Sequence, residues 1–352
     1  MEKLKIAIIG CGKIANNAHL PAFSKLQNVN IKYAVDLIEA RAKAVQEQYG
    51  AEKAITDYKI ALQDKDVEAV YVLTPNFSHY TITMDALRAG KHVFCEKPIT
   101  VNYALSCEMA EEAKKQNKIL NIGVCNRYHK SVEMIRDYVE QGKLGDLYHI
   151  YCSFRSYRNI PGLGGAFTSK EKSGGGVLID WGIHFMDLIL YITGAKISTV
   201  SANTYNKLGR DIPGYVFKNM WAGPPVLDGV CDVEDMVTGF IRTDKASISF
   251  NGAWAQNINQ NEMFIDFMGD KGGIRLMYGK DFTFYTVEHG SLETVKPDYD
   301  IPDMYEREDE RFAVAIRQGL KTRSHIDRVL ESARLLDMIY ESSEKHAEIK
   351  AV

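Results

Sequence analysis

A glycine loop at the end of an apolar run constrains this chain more than any other feature. Lys5-Ile6-Ala7-Ile8-Ile9 reads as a buried strand, and Gly10-Cys11-Gly12-Lys13-Ile14-Ala15 follows without a break. In a G-x-G-x-x-A turn between strand and helix, the first glycine permits the tight turn. The second lets backbone approach a pyrophosphate, and the small third residue lets helix pack on strand. Amides at the helix start then face the phosphates. Gly10, Gly12, Lys13 and Ile14 are therefore candidate cofactor contacts.

By itself such a loop is also an ordinary strand-to-helix turn, so its neighbours decide. A second strand, residues 30–35, ends on Asp36. A carboxylate there accepts hydrogen bonds from the ribose 2′ and 3′ hydroxyls. Leu37 and Ile38 follow, with no base beside Asp36 to hold a 2′-phosphate, which favours NAD over NADP. Arg41 is the nearby base that argues the other way.

The pattern then repeats. A short helix and turn lie between Asp57 and Asp66, and a strand over 67–73 ends at Thr74-Pro75-Asn76. A helix over about 79–89 stops at Gly90, a suitable C′ residue. The next strand ends at Glu96-Lys97-Pro98, Thr100 caps a helix to about 117, and a strand over 119–124 ends at Asn126-Arg127-Tyr128. Alternating strands and helices predict a doubly wound parallel sheet. Ligands bind such sheets beyond the carboxyl ends of the strands. Five polar clusters fall there: the glycine loop, Asp36, Thr74 to His79, Glu96-Lys97 and Asn126-Arg127. Any one could be a solvated loop, but five in phase along one edge predict a dinucleotide site. Thr74, Asn76, His79, Glu96, Lys97 and Asn126 join its candidate contacts.

At 352 residues the chain is long enough for two domains. The expected division is a dinucleotide-binding domain over 1–125 and a substrate-binding and oligomerisation domain over 126–352. The net charge of −3 gives no reason to expect nucleic acid or an anionic membrane as partner. Six cysteines without C-x-x-C or regular spacing argue against a disulfide framework or structural zinc and fit a reducing, cytoplasmic setting. The N-terminus runs straight into a strand without a signal-peptide pattern, and no apolar run is expected to reach membrane-spanning length.

With these residues in place the chain resembles the glucose-fructose oxidoreductase / inositol dehydrogenase / MocA-like family. The matching motifs are GCGKIA at 10–15, Asp36, TPNFSH at 74–79, EKP at 96–98, Arg127-Tyr128 and GGGVLIDWGIHFMD at 174–187. They cover residue 4 to about 195 in order and spacing, and beyond that the likeness is one of pattern. The resemblance implies an N-terminal Rossmann domain and a C-terminal α/β domain with a large open sheet. It also implies a nicotinamide cofactor and a sugar or cyclitol substrate. Lys97, Asp180 and His184 become the implied catalytic group, with a cis bond before Pro98 as a frequent companion.

Residues 175–192 read as a helix closed by Gly194, with Asp180 and His184 four apart on one face and Asp187 near the same stripe. Spacing alone leaves open a core histidine and a solvated carboxylate, and the family pattern is what favours catalysis. A D-x-x-x-H pair can also hold a cation, but no third ligand has convincing spacing and the Lys97 ammonium would repel one, so no metal is expected. The glycine-rich stretch 161–176 reads as a loop over a site, with Phe167 where many relatives carry a tryptophan. Arg127, Tyr128, Arg155, Tyr157 and Trp181 are candidate substrate contacts, because such donors and rings suit a polyol. For Arg155 and Tyr157 the alternative is simple alternation on a sheet face.

Helices are expected over 131–141, 308–318 and 326–346. Strands are expected over 147–157, 197–206, 236–242, 246–254, 263–267, 273–277 and 282–287, in a mostly antiparallel sheet. The insertion 207–233 is a candidate pocket wall. The charge run 306–311 reads as a solvated helix face. Helices on one side of the sheet leave the other side to be covered, predicting a homodimer or homotetramer through that face.

Hydride transfer requires an alcohol carbon held at the nicotinamide and a base for the hydroxyl proton. His184 titrates near working pH and is one candidate. Lys97, which donates to the reacting oxygen, is the other, because a positive nicotinamide favours its neutral form. Asp180 orients the hydroxyl or the imidazole. The expected activity is NAD-dependent oxidation of a ring hydroxyl of a sugar, glycoside or cyclitol. The alternatives are a glycoside hydrolase that uses NAD for transient oxidation, and a non-catalytic dinucleotide-binding regulator.

Overall fold

The computed structural model describes residues 3–351, so Met1, Glu2 and Val352, which the expected domain limits include, lie outside the described residues. The chain divides into two units, Met1–Tyr128 with Pro302–Leu330, and His129–Ile301 with Glu331–Val352.

The first unit is built on six parallel strands: β1 (Leu4–Ile9), β2 (Val29–Val35), β3 (Lys53–Ile55), β4 (Ala69–Val72), β5 (His92–Glu96) and β6 (Leu120–Gly123). Their spatial order is β3-β2-β1-β4-β5-β6. The order reverses between β1 and β4, which creates the crevice at which doubly wound sheets bind ligands. Ile6, Ala7 and Ile8 are all buried, as expected of a strand covered on both faces. Helices Glu39–Tyr49, Asn76–Arg88 and Tyr103–Lys115 make the crossovers. The second starts earlier than expected because extended Pro75 (φ −61°, ψ 150°) delivers the chain directly into Asn76. The third is capped by Asn102, which accepts from the Leu105 amide at 3.0 Å, while the Thr100 hydroxyl turns to Ser106.

The segment 302–330, expected in the second domain, belongs to the first unit. Its helix Met304–Gln318 buries Phe312 against Tyr71 (ring centroids 5.6 Å apart) and Phe94 (5.8 Å). This corrects the solvated-face reading of 306–311, since Glu308 and Asp309 are both 0% exposed. Contact with a core formed much earlier in the chain decides their burial, and the charge run itself carries no sign of it.

The second unit holds nine strands: β7 (Leu147–Arg155), β8 (Ile197–Tyr205), β9 (Met236–Thr243), β10 (Ser247–Ala253), β11 (Glu262–Gly269), β12 (Gly272–Met277), β13 (Phe282–Glu288), β14 (Ser291–Val295) and β15 (Ile349–Lys350). The order is β14-β13-β12-β11-β7-β10-β9-β8-β15, antiparallel throughout except for β7 beside β10. Ile150, Cys152, Phe154, Ile248, Phe250, Ile265 and Phe267 share a core with residues of helices Lys130–Glu140, Ile183–Thr193 and Leu330–Lys345. The alternate positions form the open face. Two strands escaped the pattern, β14 because all its residues are exposed and β15 because it has only two residues.

Contrary to expectation, the stretch Lys170–Thr193 is apolar and long enough to cross a membrane by composition. However, 78% of its most apolar window is buried, and a helix apolar on all sides is also what the core of a large unit requires.

Candidate functional site

The glycine loop is shaped on two different grounds. Gly10 has φ +98°, and a Cβ there would lie 2.6 Å from the Leu73 carbonyl oxygen. That position is closed to other residues by the fold itself. A Cβ on Gly12 would meet nothing within 4 Å. Gly12 therefore leaves open room beside the backbone, which suits a passing pyrophosphate. The Asn16 amide ties the loop together by donating to the carbonyls of Cys11 (2.9 Å) and Gly12 (2.8 Å).

Asp36 is fixed against the same loop. Its Oδ2 accepts from the Cys11 amide and its Oδ1 from the Ile38 amide, both at 2.9 Å. Each oxygen retains a second lone pair for a ribose hydroxyl. Leu37 beside it is 91% exposed, a free apolar surface where an adenosine would lie. Lys13 and Arg41 are exposed. Thr74 accepts from Ser78 Oγ at 2.7 Å, and Asn76 opens the following helix. These residues fit a bound NAD: backbone room for the pyrophosphate, an acceptor for the ribose and no base fixed on Asp36.

Five expected contacts have interior positions instead: His79, Arg127, Tyr128, Asn126 and Glu96, whose buried carboxylate accepts from the Lys97 amide and faces His19. His79 is buried with Nδ1 2.8 Å from the Pro98 carbonyl and Nε2 2.8 Å from the Thr74 carbonyl. Both partners only accept, so both nitrogens donate and the ring is an imidazolium. Burial pushes its pKa down, but the Cys95 sulfur and the two carbonyls lift it to about 9. His79 thus braces the turn after Lys97 and has no nitrogen left for a cofactor. Arg127 is buried, donating to the carbonyls of Arg323 (2.6 Å) and Arg328 (2.8 Å). The hydroxyl of buried Tyr128 accepts from Ser324 at 3.1 Å. Asn126 is buried in the same turn, Cys125–Tyr128. The sequence shows polar residues at a strand end; the returning segment 302–330 covers them and makes them a seam within the unit.

Lys97 stands half-buried at the end of β5 with a cis bond to Pro98. Its amide donates to Glu96 Oε2 at 3.1 Å. The other Glu96 oxygen lies 3.1 Å from His19 Nε2, and His19 Nδ1 lies 3.0 Å from Asp309 Oδ2. Burial pulls the His19 pKa down, but Asp309 and then Glu96 raise it to about 10, so this ring is also a cation. Neither His19 nor Asp309 was singled out from sequence. They are 290 residues apart, and no local pattern joins them.

In the second unit, a wide π turn over Leu178–Gly182 leads into helix Ile183–Thr193. Across 178–193 only Asp180, Trp181, His184 and, at the far end, Tyr191 escape full burial. Asp180, Trp181 and His184 form one window in an otherwise enclosed helix. Asp187 faces the interior and accepts from Ser332 Oγ at 2.7 Å. The His184 ring lies 6.0 Å from that of Tyr278, which stacks on Phe185. Arg155 follows the alternation reading: its Nε donates to Glu262 at 2.7 Å across the open face from β7 to β11. The Tyr157 side chain is exposed while its amide donates to Asn261 at 2.9 Å. Phe167 packs edge-on to Trp221 of the insertion, with centroids 4.9 Å apart. Among the described residues no three His, Cys, Asp or Glu side chains are grouped to hold a metal ion.

Residues 4–124 match the oxidoreductase family GFO_IDH_MocA, described as an NAD-binding Rossmann fold, and residues 132–275 match the GFO/IDH/MocA C-terminal domain. The chain belongs to the Gfo/Idh/MocA family. Like the family, it is an NAD-dependent oxidoreductase. A similar relative is D-glucoside 3-dehydrogenase of Escherichia coli, 32% identical over 83% of this chain and 81% of that protein. Another is myo-inositol 2-dehydrogenase of Thermotoga maritima, 30% identical over 57% of this chain and 58% of that one. Among solved structures, levoglucosan dehydrogenase in complex with NADH shares the fold over 100% of both chains, with a TM-score of 0.87 at 21% identity.

Proposed function

We propose that this Gfo/Idh/MocA protein oxidises a ring hydroxyl of a sugar, glycoside or cyclitol. The observation that carries the reading is the window of Asp180, Trp181 and His184: a carboxylate, an indole and an imidazole held at the surface of a helix whose other faces are core. Acceptors, a base and an aromatic face are what a polyol requires. The relatives that act on D-glucosides and on myo-inositol support the substrate class.

Bound NAD supplies the hydride acceptor. The protein's own residues manage the proton. His184 takes it from the substrate hydroxyl, Asp180 orients that hydroxyl or the imidazole, and Lys97 donates to the reacting oxygen as negative charge develops. Asp36, Gly10, Gly12 and Thr74 hold the cofactor.

Two further proposals accompany this one. Two or four copies associate through the open face of the second sheet. There half-buried Tyr151 and Phe264 pack with centroids 5.7 Å apart, and the guanidinium of exposed Arg275 lies 4.3 Å over Phe264. The protein works in the cytoplasm, which suits six unbridged cysteines.

The test is incubation with NAD⁺ and a panel of sugars, glycosides and inositols while following reduced nicotinamide by absorbance. A signal with one class, lost in Lys97→Ala and His184→Ala, is expected. Release of free aglycone without net NADH would overturn the dehydrogenase in favour of the NAD-using hydrolase.

A further inference from the structure

Glu234, in the acid pair before β9, and Tyr340 explain the glycines at 175 and 176. The buried Glu234 carboxylate accepts from the Gly176 amide through Oε2 at 2.9 Å. Its Oε1 accepts from the Leu178 amide at 2.9 Å and the Tyr340 hydroxyl at 2.8 Å. Its main-chain carbonyl accepts from the Val177 amide at 3.1 Å. Three consecutive amides thus end on one residue. They are the leading donors of the helix that carries Asp180 and His184, which would otherwise lack partners. A carboxylate also suits the positive end of the helix dipole.

Only glycine permits this arrangement. A Cβ on Gly176 would lie 1.9 Å from the Glu234 carbonyl oxygen, and one on Gly175 would lie 2.1 Å from the Tyr340 hydroxyl. These two glycines are therefore a close-approach surface, and the Asp180 amide bonds back to the Gly176 carbonyl at 3.0 Å. Burial, and then the neighbouring Glu234, raise Tyr340 well above its usual range, so it remains a hydroxyl donor. Asp235 grips the other side: its Oδ2 accepts from the amides of Lys207, Leu208 and Gly209 at 2.5–2.9 Å, at the start of the insertion 207–233.

We propose that Glu234 is a positioning residue for the oxidation, setting the placement of helix 178–193 and hence of Asp180 and His184. Asp235 pins the insertion to the same strand. The inference rests on the roles proposed for Asp180 and His184. Asp180 lies in the π turn that begins just after Gly176 and His184 in the helix that continues it, so a small slip at Gly176 reaches both side chains. A displacement of about 1 Å at reacting groups costs about 100-fold in rate.

The experiment compares E234Q, Y340F, H184N and the double variants E234Q/H184N and Y340F/H184N. In E234Q an amide NH₂ faces one of the backbone donors. The expected result is a kcat lower by about 100-fold, a substrate KM within about threefold, and NADH affinity unchanged by fluorescence titration. In the H184N background E234Q lowers kcat by a clearly smaller factor, because the part of its effect that passes through His184 is already lost and only the part through Asp180 remains. An equal fold-loss in both backgrounds would make Glu234 a fold element only and overturn the proposal. Wild-type kcat in folded E234Q with H184N impaired would overturn it as well. Wild-type kcat in H184N would instead overturn the catalytic assignment on which it rests. If E234Q does not fold, Y340F replaces it in the cycle, with a smaller loss of about tenfold expected and the same non-additivity required.

Discussion

The Nε2 of His19 lies 3.1 Å from the Oε1 of Glu96, across 77 residues of sequence and one residue from Lys97. Asp309 takes the other ring nitrogen, and all three side chains are buried. The turn that presents Lys97 therefore rests on an enclosed ion cluster.

His19→Ala leaves Glu96 and Asp309 buried without their cation. Removing one member of a buried ionic group costs about 3–5 kcal/mol. The urea midpoint of the first unit's unfolding transition is expected to fall accordingly, and an unchanged midpoint would show that the cluster adds no net stability.

Stability should also decline in alkali. His19 and His79 titrate near 10 and 9 in the folded chain, against an ordinary 6.5. A raised imidazole pKa contributes stability that is complete below the unfolded value and lost as pH rises through the folded one. The melting temperature is expected to fall between about pH 7 and pH 10. His79→Gln should remove the His79 share of that fall, which runs from about pH 6.5 and ends near pH 9. A flat profile over this range would refute the imidazolium assignments.

The two glycines of the loop predict opposite phenotypes. Gly10→Ala combines a strained φ of +98° with a 2.6 Å clash, so both stability and NADH binding should drop, stability by about 1–3 kcal/mol or more. Gly12→Ala meets nothing in the protein. Its melting temperature should stay within about 1 °C of wild type, since surface changes of this kind cost under about 0.5 kcal/mol, while NADH affinity falls. Calorimetry and fluorescence titration on both variants check the pair.

Cofactor choice should follow Asp36 and Leu37. Asp36→Ser with Leu37→Arg removes the carboxylate that excludes a 2′-phosphate and adds a guanidinium to hold one. The ratio of kcat/KM for NADP⁺ over NAD⁺ is expected to rise at least about tenfold, the worth of one charge-assisted contact. A ratio that stays at the wild-type value would place the ribose elsewhere.

Lys97→Ala should lower kcat by about 10²–10⁴, the range for losing a general acid–base group, while NADH still binds with near wild-type affinity. Full activity on a confirmed substrate would remove Lys97 from the mechanism.

The strand-end motifs were readable because each lies within a few residues of its own strand. GCGKIA after β1, Asp36 after β2 and EKP after β5 stand where expected. The i, i+4 spacing of Asp180 and His184 likewise identified a shared face on a helix. Arg127 and His79 belong to motifs of the same kind, yet their side chains point inward to carbonyls. A motif gives a residue's place along the chain, whereas the segments packed over it decide whether it faces a ligand or the core.

The sequence by itself determined the parallel sheet, the dinucleotide edge and the apolar helix bearing Asp180 and His184, because alternation, glycine turns and helical period are local properties. Only the tertiary structure decided which charges are buried and what they hold. Asp309 reaches His19 across 290 residues, and Glu234 reaches Gly176 across 58. A buried charge must be satisfied by whatever donor or acceptor packs against it, and in both cases that partner is supplied by a distant part of the chain.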